Sequence, residues 1–177
     1  MVITLIGYRG CGKTTVGALL SARLGWTCVD ADEELERRAG RSIREIFAAD
    51  GEAAFRTLER EVVAELLAKD RLVLAAGGGA ILAEETRVRM RASGPVVWLR
   101  APVADLARRI SADSTTAGRR PQLTDAGVTA EIESVLHGRE PLYRAAATIV
   151  IDTGGRSPAE VTAAVYEALP PDVKTDH

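Results

Sequence analysis

Residues 2–14, VITLIGYRGCGKT, set an apolar, β-branched run against a glycine-rich turn that closes on Lys13 and Thr14. The run has the composition of a short buried strand, and the residues beyond it carry apolar positions at helical spacing. Gly7, Gly12, Lys13 and Thr14 occupy the defining places of G-x-x-x-x-G-K-[ST]. In such a turn successive backbone N–H groups curl around a phosphate, and the helix N-terminus adds its dipole. Glycine is needed because side chains would block that approach and because the turn visits unusual dihedrals. Lys13 is expected to reach the β- and γ-phosphates and Thr14 to offer its hydroxyl to Mg²⁺. The plainer alternative is a strand–helix turn with a chance lysine. Only three lysines occur in the chain, against twenty arginines, so a lysine at a motif position carries weight. Gly10, Cys11, Gly12, Lys13, Thr14 and Thr15 are therefore candidate contacts to a nucleoside triphosphate.

Outward from this turn, short apolar runs alternate with helical patterns. Strands are predicted at 2–6, 27–29, 72–76, 96–99 and 148–151, and helices at 13–24, 55–68, 102–110, 128–144 and 158–169. Strands separated by helices imply parallel crossovers and a sheet covered on both faces, an α/β architecture. Ligands of such folds gather at the carboxyl ends of the strands. The stretch SADSTTAGRRPQLTDAG (111–127) lacks any hydrophobic period. It reads either as a solvated linker or as a lid, and the paired arginines favour the lid. The tail 170–177, PPDVKTDH, is expected to fray.

The 177 residues suit one domain spanning 1–177, and 46% hydrophobic with 27% charged residues is ordinary for a globular protein. A net charge of −2 does not favour binding to nucleic acid or to an acidic membrane. No apolar run has the length of a membrane span, and the N-terminus has no secretion-signal pattern. Cys11 and Cys28 form no CxxC pair, and with only two histidines a zinc site is not expected. The reading is a cytoplasmic protein.

Asparagine is absent, which excludes both the Asn-Lys-x-Asp base reader of guanine-nucleotide switches and the catalytic-loop asparagine of protein kinases. The third strand runs into Gly77, Gly78 and Gly79 rather than into a carboxylate, so an acid for Mg²⁺ has to come from elsewhere. The sequence CVDAD offers Asp30 and Asp32, two apart and expected to point the same way in an extended segment. One would hold Mg²⁺ through water and the other would accept a proton from a substrate hydroxyl. Asp30 and Glu33 also read as a capping box for the next helix. GEAAFRTLE (51–59) puts Arg56 and Glu59 on one helix face, a surface ion pair in the plain reading. GREPLYR (138–144) suggests a helix interrupted near Pro141.

Taken in order, GYRGCGKT, DAD, GEAAFR, GGG, RRP and REPLY give the chain a resemblance to the shikimate kinase family over nearly its whole length. The resemblance implies a three-layer P-loop kinase with a five-stranded parallel sheet, order 2-3-1-4-5, a helical substrate lobe at 31–60 and a lid at 111–127. It implies ATP-dependent phosphorylation of shikimate at its 3-hydroxyl, with Mg²⁺; a monomer is expected. Asp32 would orient or deprotonate the attacking hydroxyl, while Asp30 would hold Mg²⁺ through water alongside Thr14. Arg56 and Arg139 would grip the substrate carboxylate, with Gly77, Gly78 and Gly79 letting the ring approach the backbone. Arg120 would close over ATP with the lid, Arg109 and Arg156 would lie near the adenine, and Phe47 and Phe55 would help to wall the substrate pocket. Gln122, where the family usually has leucine, departs from the pattern. Two other readings stay open: a kinase for gluconate or a nucleoside monophosphate, and a P-loop domain that senses nucleotide without catalysis.

Overall fold

The computed structural model describes residues 1–112 and 127–174. The strands β1 (Val2–Ile6), β2 (Thr27–Asp30), β3 (Leu72–Ala75), β4 (Val96–Arg100) and β5 (Ile149–Asp152) form one sheet. Its order is β2-β3-β1-β4-β5, and every pairing is parallel. Between them run α1 (Lys13–Leu24), α2 (Ala31–Ala39), α3 (Ile43–Leu67), α4 (Glu84–Ser93), α5 (Val103–Ala112) and α6 (Val128–Ala146). The helices α7 (Pro158–Ala168) and α8 (Pro171–Lys174) follow β5.

Strand alternation sorts the core into two layers. Val2, Ile6, Leu72, Leu74, Val96 and Trp98 pack with Leu35, Phe55, Met90 and Tyr143. Their neighbours Ile3, Leu5, Val73, Val97 and Leu99 pack with Val16, Leu20, Leu106, Val161 and Val165 on the opposite face. A sheet buried on both sides explains why the strands read as continuous apolar runs. Because all strands run the same way, the loops after β1, β2 and β3 emerge on one edge.

The structure departs from the sequence reading at the start of α3, at Pro141 and at the C-terminal tail. The helix predicted from residue 55 instead starts at Ile43, where Ser42 and Glu45 form a capping box: Glu45 N donates to Ser42 Oγ at 3.3 Å and Ser42 N to the Glu45 carboxylate at 2.7 Å. It kinks at Gly51, whose φ of 80° and ψ of 174° are not helical. Pro141 does not interrupt α6, which runs through it. One N–H is lost from the ladder, yet Tyr143 and Ala146 beyond it are fully buried and hold the helix down. The expected fraying of 170–177 does not extend to Pro171–Lys174, where Val173, 2% exposed, packs on the core with Leu169. Residues 175–177 lie outside the described residues, as does most of the expected lid, with Arg120 and Gln122.

Candidate active site

At the end of β1 the chain turns through Gly7 (φ 144°), Gly10 (φ 81°) and Gly12 (φ 98°), backbone conformations that disfavour any side chain. A Cβ on Gly7 would also stand 2.5 Å from the Leu99 carbonyl oxygen and 2.7 Å from Cys11 Sγ. Gly12 is the N-cap of α1 and supplies no side-chain cap, so the first amides of α1 face the cleft. Lys13 folds back over the turn, its Nζ donating to the carbonyls of Gly7 at 2.8 Å and Tyr8 at 3.1 Å. These bonds fix the curvature of the loop and hold the ammonium group at the cleft.

Thr14 Oγ1 donates to Asp30 Oδ2 at 2.7 Å, which joins the start of α1 to the end of β2. The other oxygen of Asp30 caps α2, accepting from the backbone N–H of Asp32 at 2.9 Å and of Glu33 at 3.4 Å. Asp30 thus caps α2 with one oxygen and, with the other, meets Thr14 at the cleft. Asp32 is not extended as expected: it lies in the first turn of α2. The strand-to-helix turn, rather than strand alternation, brings both carboxylates to the same cleft.

That cleft has a volume of about 480 Å³ and runs from the P-loop to the loop after β5. Asp30, Asp32, Gly77 and Gly78 line one end, and Arg109, Thr153, Arg156 and Pro158 the other. Arg109 clamps the two loops together, donating to the Gly10 carbonyl at 3.3 Å and to the Thr153 carbonyl at 3.2 Å. Thr153 is 1% exposed and was not singled out from the sequence; its place just after a strand was the available clue.

The glycines after β3 form a tight turn, with Ala80 N–H donating to the Gly77 carbonyl and Leu82 N–H to that of Gly79, both at 3.0 Å. Each arginine of the expected pair meets this turn. Arg139 Nη1 donates to the Gly78 carbonyl at 3.1 Å. Arg56 lies against Gly79, where an added Cβ would come within 2.8 Å of its Cζ. The Arg56 guanidinium is braced by Glu59 at 2.7 Å and by Glu52 at 3.2 Å. Glu59 is 4% exposed, so this is a buried brace and not the surface ion pair of the plain reading. Phe55 is wholly buried and packs at a tilt of 34° against Phe47, with ring centroids 4.6 Å apart; neither is among the residues that line the P-loop cleft. Behind the turn the Tyr143 hydroxyl donates to the Gly78 carbonyl at 3.1 Å, and burial pushes this phenol well above its ordinary value.

A phosphate cradle faced by an acid pair, with a glycine turn and its two arginines beside it, all at the carboxyl edge of this sheet, defines a P-loop kinase of small molecules. The comparisons narrow the class. The chain belongs to the shikimate kinase family, whose model, described as shikimate kinase, matches residues 9–170. It is 45% identical to the shikimate kinase of Rhodopirellula baltica, over 96% of this chain and 90% of that protein. It is likewise 45% identical to the shikimate kinase of Thermobifida fusca, over 94% of this chain and 93% of that protein. Among solved structures, the shikimate kinase of Acinetobacter baumannii in complex with shikimate superposes with a TM-score of 0.87 at 36% identity, covering 94% of this chain and 90% of that one. Among the described residues, no helix is long and apolar enough to cross a membrane.

Proposed function

We propose that the protein transfers the γ-phosphoryl group of ATP to the 3-hydroxyl of shikimate, giving shikimate 3-phosphate and ADP, a step of aromatic amino-acid (chorismate) biosynthesis. The observation that carries the reading is the turn Gly77–Gly79, which gathers Arg56 and Arg139 beside the cleft that Asp32 lines. A planar carboxylate wants parallel charge-assisted donors, which arginine supplies.

Phosphoryl transfer asks for positioning and charge neutralisation more than for covalent help. The P-loop amides and Lys13 receive the phosphates, with the lysine already held by its own loop. Asp32 orients the attacking hydroxyl and takes its proton. Arg56 and Arg139 grip the substrate carboxylate and so set which hydroxyl faces the γ-phosphorus. Phe55, whose ring centroid lies 5.1 Å from Arg56 Cζ, supports the guanidinium, and Phe47 packs on Phe55. Arg109 and Arg156 flank the adenine end, and Arg120 closes over ATP with the lid, which excludes water from the reacting groups.

The hydroxyl–carboxylate pair of Thr14 and Asp30 suits Mg²⁺, a hard cation that takes one or two protein oxygens and keeps the rest of its shell as water and phosphate. Bound there, Mg²⁺ would neutralise charge on the β- and γ-phosphates. The reading includes a monomer of the cytoplasm acting on small molecules, without nucleic-acid or membrane partners; the net charge of −2 is in keeping with it.

Product analysis tests the assignment. Incubation with shikimate and MgATP should give a ³¹P resonance coupled to the proton on carbon 3, and excess EDTA should suppress it. A product phosphorylated at another oxygen, or undiminished turnover in EDTA, would contradict it. Substitution gives a second check. Gly79→Ala places a methyl group on the Arg56 guanidinium. It should raise the KM for shikimate while leaving the KM for ATP in place; a selective rise for ATP would mean that the turn serves the nucleotide.

A further inference from the structure

The motif REPLY supplies Arg139 to the site, but its last residue, Tyr143, has no part in the chemistry so far. Resting on the substrate reading above, we propose that Tyr143 is a positioning residue for the shikimate end of the site, acting through the Gly78 carbonyl and the Arg139 guanidinium. Three observations carry this.

The first is a shared acceptor. Tyr143 Oη and Arg139 Nη1 both donate to the Gly78 carbonyl oxygen, each at 3.1 Å. A carbonyl with two donors, one of them cationic, is pinned in direction. Pinning it fixes the rotation of the peptide that follows, and with it the backbone on which the substrate ring must lie.

Burial is the second. Tyr143 has no exposed surface, and its ring stacks on Trp98 of β4 at 5.5 Å with 15° between planes. The Arg139 charge and a hydrogen bond from its side chain favour the phenolate, yet desolvation outweighs them and keeps the proton in place. The hydroxyl is therefore a fixed donor at any ordinary pH, anchored to the central sheet.

The third is Pro141. Arg139 and Tyr143 stand four apart on α6, on one face. Pro141 between them has no N–H to give the carbonyl of residue 137, so the ladder lacks a bond in the turn that carries Arg139. The Tyr143 anchor holds α6 in the turn where that bond is missing.

Tyr143→Phe removes one oxygen and keeps the stacked ring. The loss of one neutral hydrogen bond should raise the KM and the calorimetric Kd for shikimate by about threefold to tenfold. The KM for ATP should stay near the parent value, and the Tm should fall by no more than about 2–4 °C. In an Arg139→Lys background the same change should cost clearly less, because both act on one carbonyl. Trp98→Phe is the contrasting variant: it keeps the hydroxyl but thins the packing, so it should lower Tm and leave the KM for shikimate where it was. A Tyr143→Phe protein with lowered Tm but unchanged shikimate affinity would overturn the proposal. So would an equal loss for ATP and shikimate, or full additivity with Arg139→Lys. A parent chain that does not turn over shikimate would overturn the substrate reading together with this inference. An active parent with an unaltered variant would overturn this inference alone.

Discussion

Asp32→Ala should reduce shikimate-dependent turnover by about 10²–10⁴-fold, the span typical of a lost general base, while ATP affinity stays within a few-fold. The separation follows from how the two aspartates are held. Asp30 caps α2 through the backbone N–H of residue 32, which alanine retains, and keeps its bond to the Thr14 hydroxyl. The nucleotide end of the cleft is thus built without the Asp32 side chain, whereas the acceptor hydroxyl has lost its proton acceptor. Stopped assays for kcat, paired with calorimetric titration of ATP, read the two quantities separately. A loss of ATP binding as large as the loss of turnover would assign Asp32 to the nucleotide or its metal instead.

The second large effect concerns the carboxylate grip. Arg139→Ala should raise the KM for shikimate by about tenfold to a hundredfold, since a charge-assisted hydrogen bond is worth about 1.5–3 kcal/mol and 1.4 kcal/mol is tenfold. Lysine at this position should rescue little of it, because a point charge on a flexible stem cannot reproduce a planar fork. The glycine turn should survive the change, as Tyr143 still donates to the Gly78 carbonyl. The KM for ATP is therefore expected to hold. Initial-rate measurements with each substrate varied in turn check the split; equal rises in both KM values would mean that Arg139 supports the cleft as a whole.

Much of this site could be read from residues alone, for identifiable reasons. The P-loop is local in sequence, so its strand, glycines, Lys13 and Thr14 announce themselves within a dozen positions. The strands carry apolar residues on both faces and stand out from their surroundings. Two helices did not: α2 buries only Ala31 and Leu35, and α4 only Thr86 and Met90, too sparse to show a helical period. The start of α3 was marked by Ser42 and Glu45 rather than by hydrophobicity. Contacts joining distant segments were the least legible. Nothing in the spacing shows that Arg109 clamps Gly10 to Thr153, or that Tyr143 and Arg139 share one carbonyl sixty-odd residues away. The brace on Arg56 was half visible, as a pair at helical spacing, but its burial depends on the packing of α3 against the core.

The central claim is that one cleft joins a phosphate cradle to a site for shikimate. Its most direct test is ADP release in a coupled assay with MgATP, run with shikimate and, separately, with gluconate and with nucleoside monophosphates. The account predicts turnover with shikimate alone. Turnover with another acceptor, or tight ATP binding with silence throughout, would contradict it: the first would give the arginines a different acid to hold, and the second would leave a domain that senses nucleotide without transferring phosphate.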